Sequence, residues 1–232
     1  MYSFPGRRVG GTAAILGPLL LLTGTLLRSP FPFFYPHQLD AMADHPALMS
    51  AAYTTFLAGH LVTAFGVLAL VARIGRTRPA LATWSGVLVV VGLVERTFHG
   101  GVDHAAQGLV RRHGPEFAAR LVGESYQDPH LYGYLSLSIM LGWPVLAFAA
   151  WRSGELGVLR AVALAAMTLL PLGVLKGAEV VSIVGTVGLC VALLPAGVRS
   201  LREGAKPSRR AVLGTIALLP LVGALGYVST LG

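Results

Sequence analysis

Within Leu93-Val94-Glu95-Arg96-Thr97-Phe98-His99-Gly100-Gly101-Val102-Asp103-His104, the end of a long apolar run meets two acids, an arginine and two histidines. In helical backbone Glu95, His99 and Asp103 stand at i, i+4 and i+8 and share one face. A carboxylate beside an imidazole is the pairing that general acid–base catalysis needs. His99 and Asp103 at i, i+4 could also offer two ligands to one ion. The His-Glu-x-x-His zinc signature is absent, so a metal would need a third ligand from His37, His45 or His130. The spacing favours a plainer role for Asp103, as the N-cap of a helix that starts after Gly100-Gly101.

Glu95 carries the most weight because of its setting. An ionisable side chain within an apolar span costs a few kcal/mol on insertion scales, so it needs a partner or a task. Arg96 and Lys176 are its candidate partners. His60, in the middle of another apolar block, is the second such group. It could be a proton-transfer partner of Glu95, a metal ligand or a heme ligand. Bis-histidine heme ligation would need His60 matched in depth by His99 or His130, and the sequence places those two nearer the surface.

The elements that must position these groups are transmembrane helices. Of 232 residues 54% are hydrophobic and only 12% charged, about half the usual globular share of charge. The apolar residues come in blocks of about twenty, the length that crosses a bilayer core. The expected fold is an all-α integral membrane protein, one domain over residues 1–232, built from about seven spans. They cover about Val9–Leu27, Pro46–Val71, Pro79–His99, His130–Trp151, Val158–Leu175, Glu179–Val198 and the segment ending near Tyr227. A tight turn at Lys176-Gly177 separates the fifth from the sixth, with Lys176 and Glu179 pairing at i, i+3.

Two outer connections are long. Residues 28–45 begin with Phe31-Pro32-Phe33-Phe34-Tyr35-Pro36, too rich in proline for a helix, and end at Asp44, an apparent N-cap ahead of His45-Pro46. Residues 102–129 read as two short interfacial helices, Val102–Arg112 and Glu116–Val122, split at Gly114-Pro115. Gly10-Gly11, Gly17 and Gly24 would let the first helix pack closely.

Charge placement orients the chain. With the N-terminus inside, twelve of the eighteen basic residues fall on the inner side, which supports an N-in, C-out topology. All seven histidines and eight of the ten acids then fall in the outer half. The net charge of +8 is membrane-edge charge, and no basic run is interleaved with aromatics as a nucleic-acid groove requires. The single cysteine, Cys190, excludes an internal disulfide and a Cys-rich metal site. Sixteen arginines against two lysines, with abundant Ala, Gly, Leu and Val, point to a GC-rich bacterial genome and a bacterial cytoplasmic membrane.

The functional expectation is a small membrane-embedded enzyme that uses acid–base chemistry on a lipidic or isoprenoid-like substrate. Glu95 would be the general acid or base, His99 and Asp103 would orient or relay protons, and His60 would be a deeper polar anchor. The alternatives are a proton-coupled transporter, a heme- or metal-binding membrane protein and a non-catalytic assembly factor. The sequence assigns no particular cofactor, metal or oligomeric state. The expected partners are the lipid bilayer and a lipidic small molecule.

Overall fold

The computed structural model describes residues 4–126, 131–203 and 209–229, and no strand occurs among them. The helices in chain order are α1 (Arg7–Arg28), α2 (Tyr35–Asp44), α3 (Pro46–Ile74), α4 (Pro79–His113), α5 (Pro115–Tyr126) and α6 (Leu131–Arg152). They are followed by α7 (Val158–Ala165) with a 3-10 turn over Ala166–Leu169, then α8 (Val180–Arg202) and α9 (Arg209–Ser229). Five of them, α1, α3, α4, α6 and α8, are long and apolar enough to cross a membrane. The stretches Val158–Leu169 and Val212–Val228 are apolar but shorter. The architecture fits a multi-pass helical membrane protein. The chain divides into one compact unit over Met1–Leu201 and a second over Arg202–Gly232. Within the second, α9 carries exposed Leu213, Ile216, Leu218 and Leu225.

In the first unit α1 packs along α3, and α4 packs against α6 and α3. Small residues set the α1–α3 distance. A methyl group added at Gly24 would lie 2.6 Å from the Phe56 backbone nitrogen, and one at Gly59 would lie 2.6 Å from that of Leu21. Such contacts bring two backbones together without a side chain between them. Two apolar clusters result. The larger includes Leu21, Val67, Ile74, Val89, Trp143, Leu146, Leu164, Leu189 and Leu193. The other includes Leu39, Met42, Met49, Tyr53, Ala106, Val110, Val174 and Leu175.

The structure departs from the sequence reading at four places. First, α4 does not end at Gly100-Gly101 but runs as 35 residues to His113, about 50 Å at 1.5 Å per residue. The expected helix Val102–Arg112 is therefore its continuation. Each glycine costs a helix about 1 kcal/mol, which a buried face of Arg96, His99, Asp103, Ala106 and Gln107 offsets. Gly100 also allows close packing, since a methyl there would lie 2.8 Å from Leu57 Cδ1. The chain breaks instead at Gly114, whose φ of +84° suits glycine, and α5 follows.

Second, the first long connection contains a helix, α2, which takes Pro36 in its first turn. Asp44 closes α2 rather than capping α3. The α3 N-cap is His45, without a side-chain hydrogen bond, and Pro46 opens the helix. Third, Asp103 lies inside α4 and is not an N-cap.

Fourth, the segment expected to be helical through Leu175 stops at Leu169. Pro171 lacks an N–H and disfavours helical backbone at Leu170, which is extended with φ −66° and ψ 128°. Gly173 at φ +96° and Leu175 at φ +51° carry the chain onward as irregular backbone until α8 begins. Lys176 and Glu179 consequently share no helix, and the Lys176 ammonium instead stands 5.5 Å from the Phe33 ring centroid.

Candidate functional site

Irregular backbone among apolar helices has polar groups that need partners. Here ionisable side chains supply them. Arg96, on α4, donates to the carbonyl oxygens of Leu170 (3.1 Å) and Pro171. Arg28, at the end of α1, donates to Lys176 O (3.0 Å) and to Gly24 O (3.2 Å). Asp103 Oδ1 accepts from the Leu175 N–H at 2.6 Å. The Gly177 N–H donates to Phe33 O at 2.9 Å, tying the segment to the α1–α2 connection. The Arg28 guanidinium also stacks over Phe56, 3.9 Å from its centroid, and near Tyr53. Tyr53 Oη donates to the buried Gln38, which in turn donates to Pro32 O.

Beside this clamp lies a cavity of about 280 Å³. Arg28, Arg96 and Lys176 line it, together with His60, His99, His104, Asp103 and Gln107. Tyr53, Phe56 and Leu170 give it apolar walls, so it touches both apolar clusters. Of the residues that line it, Thr54 on α3 and His104 on α4 are exposed. His60 is 3% exposed. Its Nδ1 stands 2.9 Å from Phe56 O, and a carbonyl only accepts, so Nδ1 carries the proton and Nε2 the lone pair. Two of the five donors of each arginine go to backbone carbonyls, which leaves others for the cavity.

Glu95 is fully buried, yet it stands behind the cavity wall rather than in the lining. Its Oε1 accepts from Ser136 Oγ of α6 at 3.0 Å and lies 3.9 Å from His99 Nε2. Tyr126, at the end of α5, places Oη 3.1 Å from the same nitrogen. Burial first, then the Glu95 and Asp103 carboxylates, hold the Tyr126 phenol above its usual range. A protonated phenol can donate or accept, so its bond with His99 Nε2 follows the state of the imidazole. A stacked Phe98–Tyr132 pair, 4.1 Å between centroids, packs α4 against α6 near this group.

The structure thus brings His60, His99 and Asp103 of the expected site to one cavity and sets Glu95 one layer behind it. His37 is 3.6 Å from the exposed Asp40, and His45 packs on Phe31. His130 and Asp128 lie outside the described residues. Among the described residues no three His, Cys, Asp or Glu side chains gather in a way that could hold a metal ion. The sequence reading missed Arg28, Tyr126, Ser136 and Gln107, and it treated Arg96 only as a possible partner for Glu95. An available signal was Leu170-Pro171-Leu172-Gly173 inside an apolar run, which marks where backbone would need side-chain donors. The chain matches no model of a known protein family, no curated protein and no solved structure.

Proposed function

We propose that this is a membrane-embedded enzyme that performs acid–base chemistry on the polar end of a lipid-like molecule. The observation that carries this reading is the cavity itself, a pocket of titratable side chains whose exposed lining residues, Thr54 and His104, lie on two apolar helices. Below the exposed Thr54, α3 presents Leu61 (51% exposed) and Phe65 (41%) at i+7 and i+11, on the same face. A hydrocarbon tail would lie along that strip while the head entered past His104.

His99 is the general acid or base. Glu95 positions it and supplies a counter-charge 3.9 Å from its Nε2, as the carboxylate does behind a catalytic histidine. His60 offers the Nε2 lone pair as a second base, deeper in the pocket. Asp103 holds the Leu175 backbone, which makes it a positioning residue. With the N-terminus inside, the arginine-rich turns fall in the cytoplasm and the cavity faces the outer leaflet of a bacterial cytoplasmic membrane. Seven crossings follow if the half-helical segment from Val158 onward and α9 each complete one.

The test is lipid analysis of cells expressing the wild-type chain, Glu95→Gln or His99→Ala at matched folded yield. Wild type should shift the abundance of one lipid pool, and both variants should lose at least about nine-tenths of that shift, as expected for a general acid–base group. Unchanged shifts in both would sink the proposal. A proton-coupled carrier is the second reading, supported by the broken fifth segment, because discontinuous helices recur at transporter sites. Uptake into proteoliposomes that dissipates a pH gradient would select it.

A further inference from the structure

Resting on the lipid-like substrate proposed above, we propose that the cavity is built to take a phosphate group, held by Arg28, Arg96 and Lys176. Three cationic side chains line one small volume, and among the described residues that line it Asp103 is the only acid. Asp103 already accepts from Leu175. The two guanidinia come from different helices, yet both bind one short stretch of backbone, at Leu170–Pro171 and at Lys176. Both line the same cavity, so an anion there would face two guanidinia. The donors not bound to carbonyls are available to such an anion.

The choice of phosphate over carboxylate follows from geometry and charge. One guanidinium fork satisfies a carboxylate, whereas a phosphate presents three or four oxygens and up to two charges. Arginine forks already fixed by backbone bonds lose little freedom on gripping it. Lysine adds a movable point charge, and Lys176 lies in irregular backbone where its position can adjust. The cavity's volume of about 280 Å³ suits a head group rather than a whole lipid. His60 and His99 would then stand beside the phosphate, where proton transfer to or from an ester oxygen is the available chemistry.

The experiment titrates detergent-purified full-length protein with dihexanoyl phosphatidic acid, dihexanoylglycerol and inorganic phosphate, by calorimetry. The lipid phosphate should bind at least about ten-fold more tightly than the neutral diacylglycerol, the worth of one charge-assisted hydrogen bond. Lys176→Gln should remove about that factor for the lipid phosphate and leave the neutral lipid unchanged. The Lys176 backbone carbonyl, which Arg28 needs, survives that substitution, so folding is spared. Arg28→Lys gives a second variant that keeps charge but loses the fork, and it should weaken the lipid phosphate as well.

Equal affinity for the charged and neutral lipids, or no effect of Lys176→Gln, overturns the phosphate site and leaves the lipid reading standing. Inorganic phosphate binding as tightly as the lipid phosphate supports the site but identifies a free anion and removes the lipid source. Tight lipid-phosphate binding together with unchanged lipid turnover in Glu95→Gln and His99→Ala supports the site and removes the catalytic role.

Discussion

Two contacts in the first unit use opposite means. Between α1 and α3 glycines let backbone meet backbone, with Gly24 against Phe56 and Gly59 against Leu21. Residues 170–177 are instead met by side chains, Arg96 and Asp103 from α4 and Arg28 from α1. The first contact leaves no room and exploits close packing. The second consists of long side chains reaching single carbonyls and amides, and it leaves a cavity. A helical bundle acquires a chemical site where it gives up close packing and satisfies the exposed backbone with charges instead.

The largest break in this comparison should come from the tight side. Gly24→Leu drives a side chain into the Phe56 backbone, where neither helix can yield locally. Overpacking of this kind costs about 1–3 kcal/mol in ordinary cores, and a backbone clash places it at or above the upper end. Thermal unfolding in detergent should show a strong loss of stability. A wild-type melting curve would mean that α1 and α3 are not in contact there.

On the charged side, Arg96→Met strips the donors from Leu170 O and Pro171 O while filling similar volume. Unsatisfied buried groups cost about 1–3 kcal/mol each, partly offset because a buried cation is removed as well. The expected result is a loss of about 2 kcal/mol and new protease sensitivity near residues 170–177. Sensitivity spread evenly over the chain would contradict a local clamp.

Asp103 sharpens the point through a pair of variants. Asp103→Leu removes the acceptor for the Leu175 N–H and should cost about 1–2 kcal/mol. Asp103→Asn keeps an oxygen acceptor of the same reach and should restore most of that stability. If Asn is as damaging as Leu, the carboxylate's charge matters rather than its bond to Leu175.

The same contrast explains what could be read from the sequence. The apolar blocks located α1, α3, α4, α6 and α8, and Pro46 and Pro79 marked two helix starts, because hydrophobic length and proline geometry are local properties. The shared face of Glu95, His99 and Asp103 is likewise a matter of helical period. Proline alone does not mark a break, however. Pro18, Pro144 and Pro195 lie inside continuous helices, whereas at Pro171 the helix has stopped. At Pro144 the carbonyl that the ring leaves open, Met140 O, accepts from Thr168 and the helix continues, whereas the irregular backbone after Leu169 is met by Arg28 and Arg96, 148 and 75 residues away from the groups they bind. Gly100-Gly101 misled in the opposite direction, since a weak local preference yielded to a buried helical face. Asp103 looked like a cap because its partner, Leu175, is 72 residues distant.

The smallest structural effect, and the most informative functional one, belongs to Glu95→Gln. Its Oε1 accepts from Ser136, and a glutamine side-chain oxygen can do the same, so that contact survives. Removing a charge from a fully buried position also lowers the cost of desolvation. Stability should therefore change by less than about 1 kcal/mol, and could rise. What glutamine cannot supply is the negative charge 3.9 Å from His99 Nε2. Without that charge an imidazolium on His99 loses its counter-ion. Glu95→Gln should therefore fold like wild type yet lose most of the lipid shift that wild type produces. A purely structural Glu95 would leave that shift in place, and equal shifts at matched folded yield would remove Glu95 from the acid–base reading while leaving His99 in it.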